Sequence, residues 1–201
     1  MSGKKSKIRI TQSLLSSWLW AFKKDDGYED FLRTLSREPK QPTQAMLDGI
    51  QFENCLNSVL NGEHLPENHK WKFPIAEMAD ELWGSQQQVE LYKNVVVDGQ
   101  PILLHGILDY LKAGHIYDCK FSTHYYLNKY LDSPQTPMYL ALVPEAFDFT
   151  YIICDGKYVY RERYPRDIVQ PIEVTLRYFM NYIRSRDELQ KILIEKWSAI
   201  E

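Results

Sequence analysis

The first part of the chain carries apolar residues at the spacing of one helix face. Up to about residue 84, bulky apolar side chains recur every three or four positions, as on an α-helix that packs on one side. This pattern predicts four helices: Thr11 to Phe22, Tyr28 to Leu35, Gln44 to Asn61 and Pro74 to Trp83. Glycines follow the last two predicted helices, as they often do where a helix ends.

Beyond residue 84 apolar and polar residues alternate, which is typical of β-strands. A first strand covers Val89 to Val97 and ends at Asp98-Gly99, a strong signal for a tight hairpin turn. Strands over Ile102 to Leu111 and His115 to Ser122 follow, and Ala113-Gly114 forms the turn between them. The three strands predict an antiparallel meander.

The remainder of the chain returns to a mixture of helices and strands. It predicts helices at Tyr125 to Leu131 and Thr136 to Leu142, strands at Phe147 to Cys154 and Lys157 to Tyr164, and one or two helices over Asp167 to Trp197. No linker divides the pattern. The prediction is therefore a single α/β domain over residues 1–201, with a central mixed sheet flanked by helices.

Three ionisable residues in the meander are placed to converge. Asp118 and Lys120 are two positions apart on one strand, so their side chains point to the same face. Nine residues separate Asp109 from Asp118, with the turn near the midpoint, so the two acids can lie across from each other. Neighbouring buried acids need compensation, which a hard cation such as Mg²⁺ supplies. The lysine can then orient or help deprotonate a water for in-line attack on a phosphate. The Cys119 carbonyl is a further candidate ligand.

A plainer interpretation exists for the same residues. Taken alone, Asp118 and Lys120 could be an ordinary exposed ion pair on a strand, since such pairs are common. The presence of Asp109 on the facing strand and of Glu53 on the preceding helix favours a site over a surface pair.

The pattern Gly-x-x-Asp at 106–109, followed by Asp-x-Lys at 118–120, resembles the PD-(D/E)xK nuclease superfamily. The similarity is closest to the branch that includes RecB-type nuclease domains, phage exonucleases and Cas4-like proteins. The resemblance implies a restriction-endonuclease-like core of the order αβββαβ. The predicted elements over about residues 44–155 have this order, with helical additions before and after.

Two further motifs support the resemblance. Glu53 follows Gly49 on the helix before the sheet, where the family carries an acid or histidine that completes the metal site. The resemblance therefore implies that Glu53 binds metal directly or through water. Gln135 and Tyr139 match a Gln-x-x-x-Tyr motif, which implies support of the site or contact with nucleic acid. Leu108 stands where the superfamily often has proline.

The function implied by this resemblance is Mg²⁺- or Mn²⁺-dependent hydrolysis of DNA. The first expectation is an exonuclease of the phage recombination or repair type, with DNA and a recombination or annealing protein as partners. An oligomer is compatible with this role. One alternative is an endonuclease of restriction, junction-resolving or defence type on the same fold. Another is a non-catalytic module that binds nucleic acid or a protein.

Composition narrows the classes of site and partner. The net charge of −3 gives no global basic field, which counts mildly against a nucleic-acid partner, although metal-binding acids account for part of it. The basic run that includes Lys4, Lys5, Lys7 and Arg9 is expected to be a solvated tail.

Three cysteines, Cys55, Cys119 and Cys154, are widely spaced and form no Cys-x-x-Cys pair. This disfavours a disulfide framework, a zinc site and the iron–sulfur cluster of some relatives. With no apolar signal segment and no window long enough to cross a membrane, a cytoplasmic protein is expected.

The surplus of aromatic residues, 13% of the chain, has two explanations. Core packing is favoured over base stacking. The cluster Tyr125, Tyr126 and Tyr130 is accordingly expected to form a packed helix face rather than a substrate groove.

Overall fold

The computed structural model describes residues 7–199 of the chain. The elements follow one another as β1 (Ile8–Thr11), α1 (Gln12–Trp20), α2 (Gly27–Leu35), α3 (Gln44–Leu60), α4 (Lys72–Leu82), β2 (Gln86–Val97), β3 (Gln100–Lys112), β4 (His115–Phe121), α5 (Gln135–Leu142), β5 (Asp148–Cys154), β6 (Val159–Pro165), α6 (Ile172–Arg184) and α7 (Asp187–Trp197), with a 3₁₀ turn at Arg166–Ile168. Within this range no helix is long and apolar enough to cross a membrane.

A mixed six-stranded sheet organises the fold. Strands β2, β3 and β4 run antiparallel in sequence, which confirms the predicted meander. Strand β5 joins β4 in parallel, β6 closes that edge in antiparallel fashion, and β1 pairs with β3 in parallel. The predicted α/β class with a central mixed sheet is therefore confirmed.

Strand β3 changes its neighbours along its length. On one edge it pairs with β2 almost from end to end. On the other edge β1 pairs with residues 102–105, and β4 pairs only with residues 110–112. Between them, residues 106–109 have no strand partner on that side within the described range 7–199. The sheet is thus open along one edge of β3 at the segment that ends in Asp109.

Helices cover the sheet in two groups, each with its own apolar core. Helices α1, α2, α5, α6 and α7 bury one cluster, and α3 and α4 bury the other. Strand β5 is buried along its whole length because its side chains alternate between the two clusters, as expected for an inner strand of this kind. On β3, Leu108 belongs to the first cluster and Tyr110 to the second. Asp109 therefore lies where the strand passes from one core to the other.

Most predicted helices and strands are present within a few residues of their expected bounds. Thr11 caps α1 by accepting a hydrogen bond from the Leu14 amide, as a threonine before a helix can do. The stretch from Asp167 to Trp197 divides into α6 and α7 at Ser185 and Arg186.

The helix predicted over Tyr125 to Leu131 is wrong, since this segment is a series of turns. Buried Glu162 accepts hydrogen bonds from the Tyr125 hydroxyl and the Asn128 amide, both at 2.8 Å. Asn128 has a φ of +64°, in the left-handed region that helices do not use. A buried acid from β6 therefore holds the loop where helical hydrogen bonds were expected.

The N-terminal segment also differs from its prediction. Arg9 belongs to β1, opposite Leu103, rather than to a solvated tail, and the Lys7 carbonyl accepts from the Ala199 amide. The strand has only Ile8 and Ile10 as core residues, too few to show an alternating pattern. Lys4 and Lys5 lie outside the described residues.

Candidate active site

Strand β4 places Asp118 and Lys120 together. Asp118 is buried, with 1% of its surface exposed, whereas the Lys120 side chain is about one-third exposed. Lys120 Nζ lies 2.6 Å from Asp118 Oδ2. The structure thus confirms that the two side chains share a face, and it shows a partly buried pair rather than a surface one.

Asp109 approaches this pair from β3. The register Tyr110 to Tyr117 makes residues 109 and 118 the next facing positions, as the spacing around the turn predicted. The two strands have begun to diverge there, and Asp109 Oδ2 accepts a hydrogen bond from the Cys119 amide at 3.3 Å. The Asp109 carboxylate therefore accepts the hydrogen bond that a backbone carbonyl of β3 would accept if the pairing of the two strands continued.

The Gln-x-x-x-Tyr motif supports both strands from α5. Gln135 Nε2 donates a short hydrogen bond to Asp118 Oδ1. One helical turn later, the Tyr139 hydroxyl donates to the Ile107 carbonyl at 2.8 Å, within the part of β3 that lacks a strand partner. Both residues are buried. They hold the site in position, and Tyr139 offers no surface for contact with nucleic acid.

Gly106 allows α5 to approach β3 this closely. A Cβ atom at this position would lie 2.7 Å from Leu142 Cδ1 and 2.8 Å from Tyr139 Cε1, both shorter than packed carbon atoms tolerate. The glycine of the Gly-x-x-Asp pattern therefore has a packing role, since it brings Tyr139 to the open edge.

Glu53 lies near the aspartates but does not join them in a compact set. Its Oε1 accepts a hydrogen bond from Gln88 Nε2 at 3.4 Å. Among residues 7–199, no three side chains of His, Cys, Asp or Glu are grouped so as to hold a metal ion. Glu53 is close enough that its charge helps to raise the pKa of Asp109. A role through an intervening water suits this placement better than direct ligation.

The proximity of the acids has a clear electrostatic consequence. Burial, and next the charge of Asp118, raise the pKa of Asp109 to about 8, while Lys120 opposes the shift. Burial also disfavours charge on Lys120, but Asp118 and Asp109 outweigh it and raise the pKa of the ammonium above its ordinary value. At neutral pH the metal-free site therefore holds a protonated Asp109 and a firmly protonated lysine.

The donor set fits a hard divalent cation. Asp118 Oδ2 is buried, and the Lys120 ammonium lies 2.6 Å from it. Asp109 is a second carboxyl group beside Asp118, and the two would repel each other if both were charged. Mg²⁺ commonly takes one or two protein carboxylates and fills its other positions with water and substrate oxygens. Asp109 and Asp118, with the Cys119 carbonyl as a candidate third ligand, would suit such a site.

Other polar residues of the sheet make their contacts away from the candidate active site. Glu90 is exposed on β2 and hydrogen-bonds Tyr92 and His105, as expected for a surface position. His115 lies beside Asp148 rather than at the site. The tyrosine cluster is divided: Tyr125 packs on Tyr160 and Tyr130 on Tyr151, whereas Tyr126 is exposed.

Sequence reasoning missed a cavity beside Lys120 and Gln135. Trp20, Lys23, Tyr126 and Lys129 contribute to its lining. One sequence signal was available, because Trp20 is a large apolar residue off the stripe that α1 turns to the core.

Comparison with known proteins identifies a shared fold but no family. No family model matches the chain, and no curated protein matches it. Among solved structures, the crystal structure of a protein named SSO0001 is similar, with a TM-score of 0.53 and 16% sequence identity over 96% of this chain and 87% of that one. At this identity the similarity concerns the fold alone.

Proposed function

We propose that this protein is a Mg²⁺- or Mn²⁺-dependent nuclease that hydrolyses phosphodiester bonds in DNA on a restriction-endonuclease-like core. The observation that carries the proposal is the pairing of Asp109 with Asp118 beside Lys120, which holds two carboxyl groups together in a largely buried place where the charge of one raises the pKa of the other. A site of this kind is poorly satisfied without a cation, and a cation next to a lysine suits attack on a phosphate.

Asp109, Asp118 and the Cys119 carbonyl would hold the cation, with Glu53 acting through water. When bound, such an ion stabilises negative charge on a phosphate and makes a water more acidic. Asp109 would release its proton to solvent on loading, because a neighbouring cation offsets the burial and the repulsion from Asp118 that raise its pKa. Gln135 keeps Asp118 in one orientation throughout.

Lys120 lies beside the acid pair, with its ammonium 2.6 Å from Asp118 Oδ2. A charged ammonium donates hydrogen bonds and can orient a water bound nearby. Of the two roles considered from the sequence, we therefore assign Lys120 the orientation of the attacking water. The same positive charge also stabilises the negative charge that develops on the phosphate during the reaction.

The mode of cleavage rests on the family resemblance. An exonuclease of the phage recombination or repair type is the first choice, with an annealing or recombination protein as its partner. A non-catalytic module is disfavoured, because such a module has no use for two repelling acids and a lysine in one partly buried place. An endonuclease on the same fold is the alternative that product analysis distinguishes.

The test is cleavage of linear duplex, single-stranded and closed circular DNA by the full chain with Mg²⁺, Mn²⁺ or EDTA. The expected result is metal-dependent shortening of linear substrates and no cleavage in EDTA. Opening of the closed circle would instead identify the endonuclease. Absence of cleavage on all three substrates, by a folded protein supplied with either metal, would contradict the proposal.

A further inference from the structure

A cavity of about 480 Å³ lies directly beside the candidate active site. Lys120 and Gln135, which both contact Asp118, form part of its wall. One face of α1 forms one side, and the loop between β4 and α5 forms the other. This volume is within the range of roughly 300–1,000 Å³ that accommodates a ligand of small-molecule size.

Two aromatic side chains that line the cavity are largely exposed to solvent. Trp20 is 52% exposed and Tyr126 is 65% exposed. Neither ring stacks on another aromatic residue among residues 7–199. Most other aromatic side chains next to the site, such as Tyr130 and Tyr139, pack against their neighbours. Exposed rings in a concave site offer stacking surfaces for a planar group.

Basic and amide side chains accompany the two rings. Lys23 and Lys24 lie 5.9 and 5.3 Å from the centre of the Trp20 ring. Lys129 lines the cavity and donates to Ser122 Oγ and the His124 carbonyl. One acid is present as well, since Asp132 pairs with Lys23 at 3.2 Å on the exposed rim. With Lys120 included, cations outnumber acids here although the whole chain is acidic.

The loop that carries Tyr126 and Lys129 is held in place by hydrogen bonds to a buried acid. Glu162 is 5% exposed and accepts hydrogen bonds from the Tyr125 hydroxyl and the Asn128 amide on either side of Tyr126. The Tyr164 hydroxyl also donates to Glu162, at 2.7 Å. The shape of this wall is therefore set before any ligand arrives, which reduces the entropy lost on binding.

We propose that this cavity binds one unpaired nucleotide of the substrate strand, with its base against Trp20 and Tyr126 and its backbone near Lys23 and Lys129. The proposal rests on the proposed function and deepens it. Stacking on aromatic rings beside lysines is how proteins hold single strands without reading their sequence. A paired base keeps both faces stacked inside the duplex and cannot use these rings. The cavity therefore favours a frayed or single-stranded end next to the scissile phosphate.

The test compares binding of a short fluorescein-labelled oligothymidylate and of a blunt hairpin duplex, with Ca²⁺ replacing Mg²⁺. Trp20→Ala should weaken binding of the oligothymidylate by roughly five- to a hundred-fold, as expected for loss of one stacked base. Trp20→Phe should restore most of it, because a ring is present again. Trp83→Ala is the matched control, since Trp83 is 62% exposed and lies outside the cavity. This control should bind as the wild type does.

The outcomes separate the two proposals. If Trp20→Ala and Trp83→Ala bind the oligothymidylate equally well, the nucleotide subsite is wrong even where the wild type cleaves DNA. If the wild type cleaves no substrate but binds the oligothymidylate in a Trp20-dependent manner, the subsite stands and the nuclease proposal fails. Equal loss of affinity for the hairpin and the single strand in Trp20→Ala would overturn the preference for an unpaired base.

Discussion

Two buried aspartates on neighbouring strands show how differently one residue type can be used. Asp118 on β4 and Asp148 on β5 are each 1% exposed. Asp148 accepts hydrogen bonds from the Nε and Nη2 atoms of Arg163, and His115 Nδ1 lies within 3.0 Å of both of its oxygens. Asp118 has Gln135 on one oxygen, and the Lys120 ammonium lies 2.6 Å from the other.

The difference lies in what each acid still requires. Arg163 and His115 occupy the oxygens of Asp148, an arrangement that stabilises a buried carboxylate and leaves little room for a ligand. Asp118 faces a second acid, Asp109, which its charge helps to keep protonated. A closed ion cluster is expected to contribute to stability, whereas an open acid pair is expected to bind a cation. Burial alone does not distinguish them.

The largest expected effect is on cleavage by Asp118→Asn. An amide removes the charge that holds the cation and the partner that keeps Lys120 in place. DNA cleavage should therefore fall to the level of the wild type in EDTA, since a catalytic metal supplies several kcal/mol of stabilisation. Rates on linear duplex DNA, measured with protein shown to be folded by circular dichroism, check this.

Lys120→Ala should reduce cleavage by about two to four orders of magnitude, the usual span for a positioned group acting on the attacking water. DNA affinity measured with Ca²⁺ should change little, because Lys120 acts mainly on the chemical step. Lys120→Arg should not restore activity, since a planar guanidinium differs in shape and reach. Loss of binding with an unchanged rate at saturating DNA would make Lys120 a phosphate contact only.

Asp148→Asn should show the opposite behaviour. It leaves Arg163 and His115 without their acid, so the free energy of unfolding should fall by about 2 kcal/mol, as for hydrogen bonds to charged groups. Cleavage by the folded protein should remain close to that of the wild type. Urea unfolding and rates below the melting temperature measure the two quantities separately. A dead but stable Asp148→Asn protein would show that the cluster at β5 takes part in the chemistry.

A fourth prediction concerns the dependence of stability on pH in the absence of metal. Asp109 ionises near pH 4 in the unfolded chain but at about pH 8 in the folded one, so folding favours its protonated form. Its contribution to stability is complete below pH 4 and is lost as the pH rises from about 4 to about 8. In EDTA, the melting temperature of the wild type should therefore fall across this window relative to that of Asp109→Asn. Parallel curves for the two proteins would show that the pKa of Asp109 is not raised.

The sequence predicted the features that depend on residues close together in the chain. It did not predict the contacts between residues that are far apart in the chain. Asp118 and Lys120 share a face because strand geometry has a period of two, and Asp109 faces them because a short turn fixes the register. The contact of Gln135 with Asp118 depends on how closely α5 packs at Gly106, which no local pattern reveals. The closed cluster joins His115, Asp148 and Arg163 from three strands. Nothing in the spacing of these three residues distinguishes Asp148 from Asp118.

The loop from Tyr125 to Leu131 shows the same limit. Its apolar spacing is compatible with a helix, but Glu162 lies more than thirty positions later in the chain and supplies the hydrogen bonds that hold the turns. The periodicity of a segment cannot show that a buried acid far along the chain will hold it in turns. Tyr126 reaches the cavity beside Trp20 for this reason, although Tyr126 looks like an ordinary core residue in sequence.

Metal-induced stabilisation tests the open acid pair most directly. The melting temperature of four proteins, the wild type, Asp109→Asn with Asp118→Asn, Asp148→Asn and Trp83→Ala, is measured with increasing Mn²⁺ and Mg²⁺. The expected result is a rise that depends on metal concentration in the wild type, Asp148→Asn and Trp83→Ala, because a ligand bound only by the folded state stabilises it. The Asp109 and Asp118 double variant should show no rise. An undiminished rise in that double variant would contradict the assignment of the metal to these two acids.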